Sequence, residues 1–217
     1  LTGHTHINRN IQSPKYANVY EHNIAAVCGT WWWTQQYGKN NLCKDGSPAG
    51  YKIFTVSGTD MKWQYKSVGL PLERQFTTYD MNVVNNHMNT DADAVAAFTS
   101  GKIPSKSYFT ATGENVVFIN VWDYEPGWKI VVKENGKELD CKQIWKYDPM
   151  HAISYDIPRA KTTTPTSDFL TGGCAHMFTV TASSADSSLD ITVTDRFNNS
   201  YTETMTRPKA FTTDLSK

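Results

Sequence analysis

Apolar and polar residues alternate along most of this chain in short runs divided by Gly, Asn, Asp and Pro, the pattern of strands and tight turns. Residues 19–27 read as a strand leading directly into Trp31-Trp32-Trp33. A polar stretch over 35–50 closes on Asp45-Gly46-Ser47-Pro48, a strong turn signal. Residues 51–57 and 61–67 alternate on either side of Ser57-Gly58-Thr59-Asp60 and predict a β-hairpin. Val68-Gly69-Leu70-Pro71 then breaks the pattern. A strand is predicted over 76–84. One short helix follows, opened by Thr90-Asp91-Ala92-Asp93, with Thr90 as N-cap, Ala94, Ala97 and Phe98 on one face and Gly101 at its end. Residues 116–122 form a buried-type run. Residues 128–134 and 137–143 flank an Asn135-Gly136 hairpin turn, and 175–182, 189–196 and 201–206 supply three more strands. Residues 159–167, rich in Thr and Pro, read as an extended loop. The expected fold is mainly β, in two parts. Residues 1–70 carry strands and a hairpin, and residues 73–217 form an antiparallel β-sandwich with one short helix.

Composition supports this picture. Aromatic residues make up 12% of the 217, with seven Trp and eleven Tyr, which favours strands. Twenty-one basic residues balance twenty-one acidic ones, so the basic field that nucleic-acid binding needs is lacking. No apolar run approaches the ~20 residues of a membrane span. The chain opens on Leu1 and is expected to be a processed or truncated product. Cys28, Cys43, Cys141 and Cys174 form no Cys-X-X-Cys pair; they are expected as buried free thiols, with Cys28–Cys43 a loop-closing pair if the protein is exported. Trp122, Trp128 and Trp145 are expected to fill the sandwich core, and the Asp and Asn residues of 35–45 to be solvated turn residues. His87, His151 and His176 lack ligand spacing. No Ser/His/Asp, Cys/His or paired-carboxylate set is recognisable, so no catalytic residue is assigned.

The chemistry is concentrated in Leu1-Thr2-Gly3-His4-Thr5-His6. Two imidazoles one residue apart suit first-row metals, and Gly3 lets the backbone turn close to ions. This Gly-His-X-His resembles the last metal motif of the calcineurin-like metallophosphoesterases. Cys28-Gly29-Thr30-Trp31-Trp32 and Asp45-Gly46-Ser47-Pro48-Ala49-Gly50-Tyr51 resemble the end of that catalytic domain in a bacterial subfamily. Asn120-Val121-Trp122-Asp123-Tyr124, Thr194-Asp195-Arg196-Phe197 and Arg207-Pro208-Lys209-Ala210-Phe211 resemble the β-sandwich appended to it.

The resemblance implies several things. His4 would bind one of two divalent ions (Mn, Fe or Zn) and His6 the other, in a parent enzyme that hydrolyses phosphate esters. Apart from the resemblance, the strand of His22 follows the metal loop, and Trp31 and Trp32 could form a stacking wall. These three are candidates for the substrate's vicinity, the alternatives being a hydrogen-bonded structural His and a core Trp. The remaining ligands belong to motifs of the N-terminal remainder of the catalytic domain, the implied partner, and have no counterpart here. This chain by itself is therefore expected to be inactive and to hold no metal, its first residues mobile without neighbouring strands. Export to the periplasm or cell surface is expected. Two other readings stand beside this one: a carbohydrate- or envelope-binding sandwich, and a purely structural or dimerisation domain.

Overall fold

The structure, a computed structural model, describes residues 1–216. β1 (Arg9–Gln12) pairs with β2 (Tyr20–Asn23), placing Asn10 opposite His22. β3 (Gly50–Ser57) and β4 (Asp60–Ser67) form the expected hairpin, turning at Gly58 with φ +59°. The remaining strands are β5 (Phe76–Asp80), β6 (Val116–Val121), β7 (Lys129–Glu134), β8 (Lys137–Glu138), β9 (Lys142–Tyr147), β10 (Gly173–Thr181), β11 (Leu189–Thr194) and β12 (Ser200–Met205). They make two antiparallel sheets, ordered β5-β6-β10-β9 and β12-β11-β7-β8.

Alternation along the strands decides what each face does. Val117, Ile119, Val121, Phe178 and Val180 of the first sheet meet Val132, Leu189, Ile191 and Val193 of the second in one buried cluster. This is the expected sandwich. The opposite face of the first sheet is covered as well. Tyr79, Phe118, Trp122 and Met177 pack with Leu42, Cys43, Tyr65 and Leu70 from the N-terminal third. β6 is consequently buried at all six positions, which explains its nearly unbroken apolar sequence.

The mainly β class holds, but helix is more abundant than the single short element expected. The strand predicted over 76–84 stops at Asp80. There the side chain accepts a bond from the Asn82 N–H (3.1 Å) and caps α1 (Met81–Thr90). Met81, Val84 and Met88 form its buried stripe. Asp91, one residue beyond the expected Thr90, caps α2 (Ala92–Thr99) by accepting from the Ala94 N–H. A third helical stretch replaces the start of the loop expected from residue 159. It comprises α3 (Pro149–His151), a π-helical turn over Ala152–Asp156, and α4 (Ile157–Thr162). Buried polar His151, Ser154 and Asp156 interrupt its apolar pattern.

Trp122 is fully buried and Trp128 packs against the sandwich core, but Trp145 is 61% exposed. Its indole packs against Gly173, where any Cβ would meet the ring, so it covers backbone rather than filling core. All four cysteines are free thiols, Cys43 and Cys174 buried and the other two partly so. No helix among the described residues is long and apolar enough to cross a membrane.

Candidate functional site

The first residues are tied down, contrary to the loose end expected. The Thr2 N–H donates to the His22 carbonyl (2.8 Å) and the Ile24 N–H to the Thr2 carbonyl (3.1 Å). Asn23 Nδ2 donates to Thr5 Oγ1, and the Lys44 N–H to the His6 carbonyl (3.3 Å). His4 and His6 take left-handed backbone, φ +77° and +56°. Residues that would alternate along a strand instead line one open cleft of about 330 Å³.

The tautomer of His6 follows from geometry. Its Nδ1 lies 2.6 Å from the Gly29 carbonyl, which can only accept, so Nδ1 carries the proton and Nε2 keeps a free lone pair. A backbone carbonyl holding the far nitrogen is the usual support of a metal-binding imidazole. Trp31 and Phe169 form an aromatic wall beside it, with ring centroids 4.6 Å between His6 and Trp31 and 6.1 Å between Trp31 and Phe169. Lys44 adds a cation to the rim and Asp168 a carboxylate.

Backbone strain gathers at the same place. Among the described residues, the positive-φ positions other than glycine are three asparagines plus His4, His6, Trp31 (+54°) and Trp32 (+61°). Asn and His are enriched in this conformation, whereas a bulky Trp rarely adopts it, so Trp31 and Trp32 are the strained pair. Trp32 nonetheless points into a different cleft, with Lys39 and Asn40. His22 also lies apart. It is 4% exposed, edge-on to Trp63, with Nδ1 2.8 Å from Asn10 Oδ1 and 3.0 Å from Lys52 Nζ. Burial, and then the Lys52 charge, lower its pKa to about 4, so it is neutral. The structure thus unites His4, His6 and Trp31 and leaves out His22 and Trp32.

No three His, Cys, Asp or Glu side chains converge on a metal-sized point among the described residues. The chemistry of His4 and His6 fits part of a metal-ligand set: two imidazoles on one open cleft, one with Nδ1 held and Nε2 free.

Sequence reasoning missed what lies behind the cleft. Asp45, expected to be solvated, is 1% exposed. Its Oδ2 accepts from the Asn8 N–H (2.5 Å) and faces His176 Nε2 (3.0 Å), while Oδ1 accepts from the Ser47 N–H (2.9 Å). Asn120 Nδ2 donates to the Asp45 carbonyl and to Asp148 Oδ2, both at 2.8 Å. That fixes the Asn120 amide so that Oδ1 faces His176 Nδ1 at 2.7 Å. Both His176 nitrogens therefore donate, and the ring is an imidazolium. Burial opposes that charge, but the Asp45 carboxylate, hydrogen-bonded to Nε2, holds the His176 pKa above its ordinary value. Burial keeps Cys174 a thiol, which leaves Asp45 as the counter-ion. Asp148 also accepts from the Tyr79 hydroxyl (2.7 Å), and burial raises its pKa to about 6.

A second link joins Thr30, in the cleft wall, to His151 Nε2 (2.7 Å), whose Nδ1 meets Thr171 Oγ1 (2.7 Å). Burial lowers the His151 pKa to about 3, so this ring stays neutral. The visible signals were few: an Asn inside the apolar run of β6, and an Asp-Gly turn.

No curated protein matches the chain, and no solved structure does. The family model for the C-terminal part of calcineurin-like phosphoesterases matches residues 21–201. That span holds the cleft wall at Trp31, Lys44 and Phe169, the Asp45–His176 pair and nearly all of the sandwich; the His4–His6 arm precedes it. The chain belongs to the family of calcineurin-like phosphoesterase C-terminal domains.

Proposed function

We propose that this chain supplies the last two ligands, His4 and His6, of a two-metal phosphate-ester hydrolase, and that residues 73–217 are the accessory sandwich bracing them. The other ligands come from the N-terminal remainder of the catalytic domain, and the chain alone does not turn over substrate. The observation that carries this reading is the His6 imidazole, held by the Gly29 carbonyl with Nε2 free, on the cleft it shares with His4. Bound divalent ions supply charge neutralisation at phosphoryl oxygens and a water of lowered pKa. The chain's own residues orient. The Gly29 carbonyl fixes one imidazole, Trp31 and Phe169 wall the cleft, and Lys44 offers a cation to a phosphoester.

The test uses the full-length protein with His4→Ala and His6→Ala, reading metal content by mass spectrometry and hydrolysis of bis(p-nitrophenyl) phosphate. Outer partners of metal ligands contribute about 10–100-fold to affinity or activity, so loss of a ligand itself should exceed about 100-fold. Full metal content and near-wild-type turnover in both variants would overturn the assignment.

One observation favours glycan contact as a second role. Trp32 is 58% exposed, strained outward and flanked by Gln35 and Asn40 in its own cleft. Calorimetric titration against a glycan panel, with Trp32→Ala as the control, decides it.

A further inference from the structure

We infer that His176, on β10 of the sandwich, is a positioning residue for the His4–His6 arm and acts through Asp45. The inference rests on the reading of His4 and His6 as metal ligands. A single carboxylate oxygen, Asp45 Oδ2, bonds both the ring of His176 and the backbone N–H of Asn8, two residues beyond His6. Asp45 is also gripped from behind, because Asn120 Nδ2 on β6 holds its carbonyl. The preceding residue, Lys44, donates its N–H to the carbonyl of His6. The 44–45 dipeptide therefore touches the arm at residues 6 and 8, and two sandwich strands fix the dipeptide. Asn8 is immobilised in turn, since its Oδ1 accepts from the Ala25 N–H (2.8 Å).

This arrangement is a poor way to gain stability. A buried ion pair often does no better than apolar residues of the same volume. What it sets is geometry. The Asp45 carboxylate accepts from two distant segments, at Asn8 and His176, and from Ser47 of its own turn, and each bond limits where the others can lie. Without His176 the carboxylate loses its buried cation and the one side-chain donor on Oδ2, so the point at which Oδ2 meets the Asn8 N–H is held less tightly.

The test uses the full-length protein, Mn²⁺ alone as probe, and amide hydrogen exchange of the metal-free form. His176→Leu removes both ring donors. His176→Gln keeps a donor able to reach Asp45. Ile191→Ala, in the sandwich core away from Asp45, is the control for general destabilisation. In His176→Leu the Mn²⁺ dissociation constant should rise about 10–100-fold and exchange at Asn8 should accelerate, with most of both effects restored in His176→Gln. Ile191→Ala should lower the melting temperature without either change. Should His176→Leu fail to fold, Asn120→Ser removes the grip on the Asp45 carbonyl and should shift both readouts the same way by less.

Wild-type exchange at Asn8 in the folded variant overturns the link whatever the metal does. An equal response in Ile191→Ala overturns it too, by making the effect one of stability alone. Mn²⁺ affinity unchanged in His6→Ala refutes the ligand reading separately, and the exchange data still decide the link.

Discussion

Lys52→Met isolates one buried charge pair that joins the N-terminal hairpin to the sandwich. Lys52 Nζ lies 2.7 Å from Asp123 Oδ1, and the two side chains are 0% and 1% exposed. Asn10 completes the cluster, accepting from Lys52 (2.9 Å) and donating to Asp123 Oδ1 (2.9 Å) and to its carbonyl (2.8 Å). Methionine keeps most of the lysine stem but removes the cation, leaving the Asp123 carboxylate buried with one amide donor. Breaking a buried pair from one side costs about 3–5 kcal/mol. At about 2–4 °C per kcal/mol for a chain of this size, the melting temperature should fall by roughly 6–20 °C. Asp123→Asn keeps an acceptor for Asn10 and removes the stranded charge, so the double variant should recover most of the loss. Calorimetry on the four proteins of the cycle gives the coupling energy. A Lys52→Met loss below about 1 kcal/mol, the range of exposed pairs, would refute the reasoning. So would a double variant no more stable than Lys52→Met.

Three further outcomes are expected. Gly46→Ala should destabilise by about 2–3 kcal/mol in chemical denaturation, because Gly46 has φ +81° and a Cβ would run into the Asp148 carboxylate. His22 is neutral when folded, with a pKa of about 4 against 6.5 unfolded; its contribution is present above pH 6.5 and is lost as pH falls toward 4. Its imidazole resonances should show a neutral ring at pH 5.5, and a protonated ring there would contradict the burial argument. Asp156 has the opposite sign. Burial raises it to about 7, so its effect on stability becomes unfavourable as pH rises from about 4 through 7. Asp156→Asn should therefore raise stability by about 1–3 kcal/mol at pH 8 and change little near pH 4, read from paired thermal melts.

Local features were legible in the sequence. The turns at Gly58 and Asn135-Gly136 lie where their dipeptides place them, because a tight turn is decided by a few adjacent residues. The strands of the sandwich were likewise readable from alternation. α1 was not, since Val83 and Val84 extend a β-branched run and only the Asp80 cap marks the change. Of the site, Gly3-His4-Thr5-His6 was visible because its members are contiguous. The Asp45–His176 and Asp45–Asn120 bonds join positions 131 and 75 residues apart, and no spacing rule reaches that far. Asp45 in a turn and Asn120 in a strand each have an ordinary local explanation, and only the fold shows that they meet.

β6 is walled in on both faces. A strand apolar on both sides has no surface of its own to show, so its sheet is a middle layer rather than an outer wall. Severing the chain between residues 70 and 73 would bare Phe118, Trp122 and Met177 and strip His176 and Asn120 of their Asp45 partner. Such a face would be apolar with unpartnered polar groups in its midst, inviting aggregation more than independent folding. Anyone transplanting this sandwich to another protein should carry the N-terminal hairpins with it, or redesign that face first.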